Sequence, residues 1–404
     1  MTEQTALDAP ASDAVVTRQV IVAGHELTLY AESPPLIRDM LADIRAARTR
    51  VWLECYIYYP DAAGRAVAEA LTERAAAGVD VRVLYDALGS QATPSTFFDA
   101  LVRDGGRVHA YHTFWHALAR RSILGVLNRR DHRKLLVVDD RVAYFGGMNI
   151  VEPTTRGGVG ATAGLSRSGP RDSLGWRDLH VRLVGSQQAD VAHSFERSWR
   201  RAHGQSIARR PRHYRRGQLA QTAESIHFFD SGPGLKHSRA ARVFIRLMGK
   251  AEQHIMISMA YFLPAGRVLW AMLRARRRGV RISVIVPEVS DVRIVDWASR
   301  YMYGKLLRRG FRIYERQLRM LHSKALVADG EWTVVGSCNL DPRSMWHNLE
   351  FLAVIRSRPF AAAVLEICAS ELRASRRLTL EDMSRRTRWQ RLLSRAAYML
   401  RWWL

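Results

Sequence analysis

Two stretches of the sequence carry the same residue types at the same spacing. Residues 131–149 read DHRKLLVVDDRVAYFGGMN and residues 321–339 read LHSKALVADGEWTVVGSCN. The shared pattern is His-x-Lys-x4-Asp, then a strand ending in two small residues, one further position and Asn. Side chains two apart on a strand share a face, so His132 points with Lys134, and His322 with Lys324. Asp139 and Asp329 fall on the other parity and open a turn. They are read first as turn and backbone hydrogen-bonding residues and second as members of the catalytic set.

Two imidazole–ammonium couples suit displacement at a phosphodiester. Negative charge grows on the equatorial oxygens as the bond breaks, and Lys134, Lys324, Asn149 and Asn339 can meet it without a metal. One neutral imidazole can attack phosphorus while the other, protonated, donates to the departing alkoxide. A metal site is not expected, because a lysine beside each histidine repels a divalent cation and no carboxylate cluster accompanies them. A single His-x-Lys on a strand edge is ordinary solvated surface. Two copies with matching Gly-Gly-Met-Asn and Gly-Ser-Cys-Asn continuations are not, since small residues permit the close approach a buried anion site requires.

The elements around the motifs repeat as well. VWLECYIY (51–58) reads as a buried strand, followed by a helical stretch through Arg74 and the strand VDVRVLY (79–85). IMISMAYF (255–262), GRVLWAMLRARRRG and the strand 280–286 give the same order. Each half adds a short third strand, at 107–111 and 312–315, before its motif. Two α/β halves facing each other across a shared site follow. Residues 200–217, RRAHGQSIARRPRHYRRG, are too basic and polar for a core and read as a linker or cationic arm, and 157–169 as a flexible loop.

A chain of 404 residues can bury substantial cores, and 48% apolar with 25% charged residues excludes wholesale disorder and a multi-span membrane protein. The formal net charge of +24 calls for an anionic partner, nucleic acid or an anionic lipid surface. Cys55, Cys338 and Cys368 are far apart and inside apolar stretches, so neither a disulfide framework nor a zinc site is expected and a reducing compartment is favoured. The first 18 residues do not resemble a signal peptide. No stretch reaches the roughly 18–20 apolar residues of a spanning helix, so membrane attachment is expected to be peripheral, at the cytoplasmic face of the cell membrane.

The duplicated HxKxxxxD motif resembles the signature of the phospholipase D superfamily, over about residues 51–355. The resemblance implies two similar phospholipase D-like α/β sandwich halves related by a pseudo-two-fold, with the active site at their interface. It gives catalytic roles to His132, Lys134, Asp139, His322, Lys324 and Asp329, and phosphate-binding roles to Asn149 and Asn339. By it, His132 is the nucleophile that forms a phosphohistidine, and His322 the acid and then the base. Each histidine also needs an orienting carboxylate, for which Asp178 in WRDLHVRLVG and Glu350 in NLEFLAVI are the candidates. Asp341, Arg343 and Ser344 are expected to brace the second motif's loop, and Glu54 to sit beneath the first hairpin. The boundaries expected are a flexible N-terminus (1–20), a first half (21–199), a basic linker (200–222), a second half (223–380) and an amphipathic C-terminal helix (381–404).

Superfamily membership fixes the bond class and not the substrate. WRDLHVRLVG, YFLP, NLDPRS and the apolar, basic approach to the first motif look most like bacterial cardiolipin synthases of the shorter, non-spanning type. That implies transfer of a phosphatidyl group to phosphatidylglycerol, with phosphatidylethanolamine or a second phosphatidylglycerol as donor and no cofactor. Hydrolysis of phospholipid is the alternative, and a nuclease the less favoured one, nucleic acid being the less expected partner. Residues 114–130, FWHALARRSILGVLNRR, suit a lipid interface at the site's mouth. Residues 386–404, RTRWQRLLSRAAYMLRWWL, place Trp389, Leu392, Leu393, Ala396, Leu400 and Trp403 at helical spacing, with Arg388, Arg391 and Arg395 largely on another side. Either an interfacial anchor or packing on the domain is open. The sequence is silent on oligomeric state.

Overall fold

The computed structural model describes residues 16–111, 129–152, 175–205, 224–232 and 238–403. Two α/β halves each carry an eight-stranded sheet. The first contains β1 (Thr17–Val22), β2 (His25–Tyr30), β3 (Arg50–Cys55), β4 (Asp80–Asp86), β5 (Arg107–Tyr111), β6 (Leu135–Val138), β7 (Val142–Gly146) and β8 (His180–Val184), in the order β1-β2-β8-β7-β6-β3-β4-β5. The second contains β9 (Ser225–Ser231), β10 (His254–Met259), β11 (Arg281–Pro287), β12 (Arg312–Arg316), β13 (Lys324–Ala328), β14 (Trp332–Gly336), β15 (Glu350–Arg356) and β16 (Ser375–Arg377), in the order β16-β12-β11-β10-β13-β14-β15-β9.

Seven strands of one sheet match seven of the other, β2 corresponding to β9. β3, β4 and β5 are parallel neighbours, as are β10, β11 and β12, which is what strand–helix–strand crossovers require. The motif hairpins β6–β7 and β13–β14 join antiparallel beside β3 and β10. The sheets differ only at their edges, where β1 extends the first beyond β2 and β16 extends the second beyond β12.

Both faces of each sheet are covered, which is why β6 (LLVV) and β13 (KALVA) are buried along their whole length instead of alternating. The helices Gln188–Ala202 and Arg358–Arg373 supply Phe195, Trp199, Phe360, Val364 and Ile367 to a central core that also takes Phe145, Phe228 and Phe351 from the two sheets. Outer cores form under Ser33–Ala46 and Ala62–Ala76 in the first half, and under Arg239–Lys250, Gly266–Arg277 and Arg293–Leu307 in the second. Each fully buried side chain of this kind contributes roughly 1.5–3 kcal/mol over its exposed state.

Several boundaries move. Residues 17–20, expected in a flexible terminus, belong to β1, because the Ala23–Gly24 turn lets Thr17 through Val22 pair with all of β2. Residues 200–202, expected in the linker, complete the helix Gln188–Ala202, where Arg200 pairs with Glu196 at 2.9 Å. The C-terminal segment contains two helices. Leu380–Ser384 and Arg388–Met399 each start with a capping box, Thr379 with Asp382 and Thr387 with Gln390. Residues 1–15, 114–128, 157–169 and 206–222 of the expected flexible terminus, apolar approach, loop and linker lie outside the described residues.

The closing helix Arg388–Met399 packs through one face. It docks through Ser394, Ala397 and Tyr398 on Arg293–Leu307, with Tyr398 4.8 Å from Tyr301 and Lys305 lying over both rings. Just beyond it, the Trp402 ring lies tilted against Trp346 at 4.9 Å. The apolar stripe seen in the sequence faces outward instead, with Trp389 74% and Trp403 67% exposed beside Leu392, Leu393 and Leu400. Arg388, Arg391 and Arg395 occupy a third, exposed sector. Among the described residues no helix is long and apolar enough to cross a membrane.

Candidate active site

The start of each motif strand is stitched to the opposite half. The His132 N–H donates to the Leu349 carbonyl (3.0 Å) and Leu349 N–H to Arg130 (2.8 Å). In the mirror-related place, His322 N–H donates to Arg177 (2.7 Å) and Arg177 N–H to Met320 (2.8 Å). Each histidine therefore sits beside the residue that precedes the other half's candidate carboxylate. The side chains follow: Glu350 lies 3.1 and 3.2 Å from His132 Nδ1, and Asp178 lies 2.7 Å from His322 Nδ1. Both pairs leave Nε2 as the ring nitrogen available to a substrate.

The lysines lie on the same side as their histidines, as period-two alternation requires. Lys134 Nζ donates to the His132 carbonyl at 2.7 Å, and Lys324 Nζ to the His322 carbonyl. Lys324 Nζ is also 2.6 Å from His322 Nδ1 and 3.5 Å from Asp178. With Asp178 ionised, Nδ1–H points at Asp178. The asparagines are held alike. Asn149 Oδ1 accepts from Ile57 N–H (3.1 Å) and Asn339 Oδ1 from Tyr261 N–H (3.3 Å), which leaves each amino group as the end that can meet an anionic oxygen.

Charge in this pocket is set by burial. Burial, then Lys134, Lys324 and His322, push His132 well below the usual imidazole range. The influence of both second-half groups on His132 places the two couples in one electrostatic site. Burial and then Lys324 bring Lys134 down to about 7. His322 is lowered by burial and Lys324, but Asp178 pulls it back up. The carboxylates part company. Burial opposes ionisation of Asp178, yet Lys324 and His322 overcome it and hold it below its ordinary value. Burial drives Glu350 up to about 8 against Lys134 and the Ser337 hydroxyl.

Asp139 and Asp329 face away from this chemistry. The Asp139 carboxylate accepts from the backbone N–H groups of Arg48, Thr49 and Arg50 (2.8–3.2 Å) and from the Thr49 hydroxyl. Asp329 accepts from those of Glu252, Gln253 and His254 (2.8–2.9 Å). Both adopt positive φ, +51° and +52°, which aspartate tolerates better than most residues. These contacts are the turn and backbone role read first from the sequence: the two aspartates tie each hairpin turn to the start of β3 or β10.

The small residues also make room for the carboxylates of the site. A Cβ on Gly147 would lie 2.2 Å from the Asp178 carboxylate, so glycine clears the way for Asp178 to reach His322. At the matching place Ser337 donates its hydroxyl to Glu350 and accepts from Phe351 N–H (3.1 Å). Asp341 caps the short helix Pro342–Trp346 through Ser344 N–H (2.7 Å), which is the bracing expected of NLDPRS. Glu54 is fully buried 3.1 Å from Arg133, as expected beneath the first hairpin. Arg130, grouped in the sequence with a lipid-facing basic face, is instead buried beside Asp86 at 3.4 Å.

Sequence reasoning did not single out several groups around the imidazoles. Tyr56 stands edge-on to His132 at 4.9 Å, Trp176 lies 5.0 Å from His322, and Tyr261 meets His322 edge-on at 6.3 Å while its hydroxyl reaches Asp291. Aromatic residues at strand ends usually mean packing, and Tyr56 and Tyr261 stand at different distances from their motifs along the chain, so the sequence offered no signal for them. Among the described residues no cluster of three or more His, Cys, Asp or Glu is arranged to hold a metal.

Paired α/β halves that contribute one His-Lys-Asn set apiece to a shared, cross-braced pocket define the phospholipase D class of fold and site. Residues 40–157 and 244–371 match the family model described as Cardiolipin synthase, PLD-like domain, and the chain belongs to that family. It is 30% identical to Cardiolipin synthase A of Klebsiella pneumoniae (strain 342) over 381 residues, covering 93% of this chain and 75% of the relative. The same identity holds over 399 residues with Cardiolipin synthase A of Escherichia coli O1:K1 / APEC, covering 98% and 79%. Among solved structures, phosphatidylserine synthase of Haemophilus influenzae Rd KW20 superposes with a TM-score of 0.68 at 15% identity, over 97% of this chain and 98% of that one. Polyphosphate kinase of Porphyromonas gingivalis does so at 0.55 and 14%, over 92% and 52%. These two likenesses concern the fold.

Proposed function

We propose that this chain is a phosphatidyltransferase that makes cardiolipin at a membrane surface. The observation that carries the reading is the meeting of two His-Lys-Asn sets in one pocket, each imidazole backed by a carboxylate from the opposite half, in a chain whose curated relatives are named cardiolipin synthases. His132, held neutral by burial and three nearby cationic or imidazole groups, is the nucleophile. Its Nε2 bonds to phosphorus as the bond to the departing alcohol breaks, and His322 supplies that alcohol with a proton. A hydroxyl of phosphatidylglycerol then attacks, His322 takes its proton, and the phosphorus–nitrogen bond electrons return to His132. Lys134, Lys324, Asn149 and Asn339 hold the equatorial oxygens throughout. The donor in this reading is phosphatidylethanolamine or phosphatidylglycerol.

Attachment is peripheral in this proposal, at the cytoplasmic face. The outward stripe of Trp389, Leu392, Leu393, Leu400 and Trp403, next to a sector of exposed arginines, suits insertion into the headgroup region of an anionic bilayer. Vesicles of radiolabelled phosphatidylglycerol, with and without phosphatidylethanolamine, test the whole reading. The expected product is diphosphatidylglycerol, with a covalent phosphatidyl adduct lost in His132→Ala. Phosphatidic acid alone indicates hydrolysis, and DNA cleavage without lipid turnover rejects the lipid assignment.

A further inference from the structure

The approximate two-fold symmetry of the site breaks on one side, and the break has a chemical meaning. Tyr261, just past β10, is fixed at three points. Its N–H donates to Asn339, its ring stands against His322, and its hydroxyl donates to both Asp291 oxygens at 2.7 and 2.9 Å. Asp291, past the end of β11, also accepts from the Ser290 hydroxyl at 3.5 Å. Burial and then Asp291 hold the phenol well above its ordinary range, so it remains a donor. Both belong to residues that are partly exposed. In the first half the residue whose N–H meets the motif asparagine is Ile57, not a tyrosine. The fourth residue past β4 is Ser90, whose hydroxyl is consumed by the backbone: it accepts from Tyr58 N–H (2.9 Å) and donates to the Tyr56 carbonyl (3.2 Å). The phenol–carboxylate pair therefore belongs to the His322 side.

We propose that Tyr261 and Asp291 form a subsite for the hydroxyl groups of a polyol acceptor, so that the alcohol receiving the phosphatidyl group is chosen on the His322 side. The proposal rests on the transferase reading above. His322 is the group that must take the acceptor's proton, so the remaining hydroxyls of the same headgroup fall next to it. A carboxylate with spare lone pairs and a phenol oxygen can together hold a diol, Asp291 accepting from one hydroxyl while its neighbour bonds the Tyr261 oxygen. An ammonium headgroup is the poorer guest, since Lys134, Lys324 and two imidazoles share the pocket and Asp291 already accepts from Tyr261. Asp291 also acts on the chemistry electrostatically, raising the proton affinity of both His322 and Lys324. A hydroxyl seated here is presented to phosphorus in place of water, which is what transfer requires.

The test is a competition between acceptors. Full-length wild type, Asp291→Asn and Tyr261→Phe are given phosphatidylglycerol vesicles with equal concentrations of labelled glycerol and labelled ethanol. The products partition from one phosphohistidine, so their ratio does not depend on the amount of active protein or on the rate of adduct formation. The glycerol-to-ethanol ratio should fall by about tenfold or more in Asp291→Asn, as expected for losing a hydrogen bond to a charged group, and less in Tyr261→Phe. Unchanged ratios in both variants, with a wild type that transfers, overturn the subsite alone. So does a variant that, given labelled ethanolamine as a third acceptor, loses its use while glycerol is unaffected, which marks an ammonium site. A wild type that yields only phosphatidic acid overturns the transferase reading and the subsite with it.

Discussion

Behind His322 stands an ionised Asp178, while behind His132 stands Glu350, which burial pushes up to about 8. An ionised partner favours the imidazolium and a poorly ionised one does not, so the same motif is biased toward acid in one half and toward nucleophile in the other. Removing the Asp178 charge takes away a contribution that raises the His322 pKa. Asp178→Asn should therefore move the alkaline limb of the kcat/KM profile to lower pH and reduce kcat by about a hundredfold, within the range for a positioned general acid. A pH–rate profile measures this, and an unmoved or opposite limb rejects the acid role of His322. The turn aspartates make a different prediction. Asp139→Ala removes the acceptor of three backbone amides at a positive φ and should cost about 1–3 kcal/mol in chemical denaturation, with phosphohistidine formation retained in the folded fraction. Most of this site was legible, because His, Lys and Asn recur at identical spacing. The pairing of each carboxylate with the opposite histidine was not, since no local pattern says which of two similar clefts a side chain will enter. Asp291 was hidden for a related reason: it becomes chemical only once a loop after β11 is folded beside a loop after β10.

Among elements, strands buried on both faces announced themselves as continuous apolar runs, and β3, β4, β10 and β11 lie within a few residues of their expected limits. Edges were harder to see. TRQVIV in β1 and SRR in β16 carry too much charge to stand out, and their strand identity comes from a neighbour's free backbone groups. The closing helix left a choice between anchoring and packing in the sequence; in the fold small residues at Ser394 and Ala397 dock while the bulky stripe stays outside, and the anchor belongs to the proposal above. Substituting serine for Trp389, Leu392 and Trp403 together should weaken binding to anionic vesicles by at least tenfold, given roughly 1.5–3 kcal/mol for each apolar side chain withdrawn from water. The melting temperature should hold, since none of the three is buried in the fold. Undiminished vesicle affinity, measured by co-sedimentation, would remove the anchor from the proposal.

At the scale of the whole molecule, the halves are not separable domains. The central core draws on both sheets, and Arg177 bridges Glu32 at 2.8 Å in its own half to Glu371 at 2.7 Å in the other, with Arg316 on the far oxygen at 2.6 Å. Thermal unfolding should thus be one cooperative transition, with calorimetric and van't Hoff enthalpies in agreement. Two resolved transitions would show the halves to be independent. The net charge of +24 also makes long-range attraction to anions a property of the molecule, which composition alone made plain.

The exchange of carboxylates between tandem repeats has a consequence for descent. A lesion at codon 178 or 350 is expressed at the sister copy's imidazole, so neither repeat can decay or be retooled on its own. Ancestral duplicates normally gain freedom by drifting apart; these two are bound to a common fate, and any change of chemistry must be negotiated by both at once.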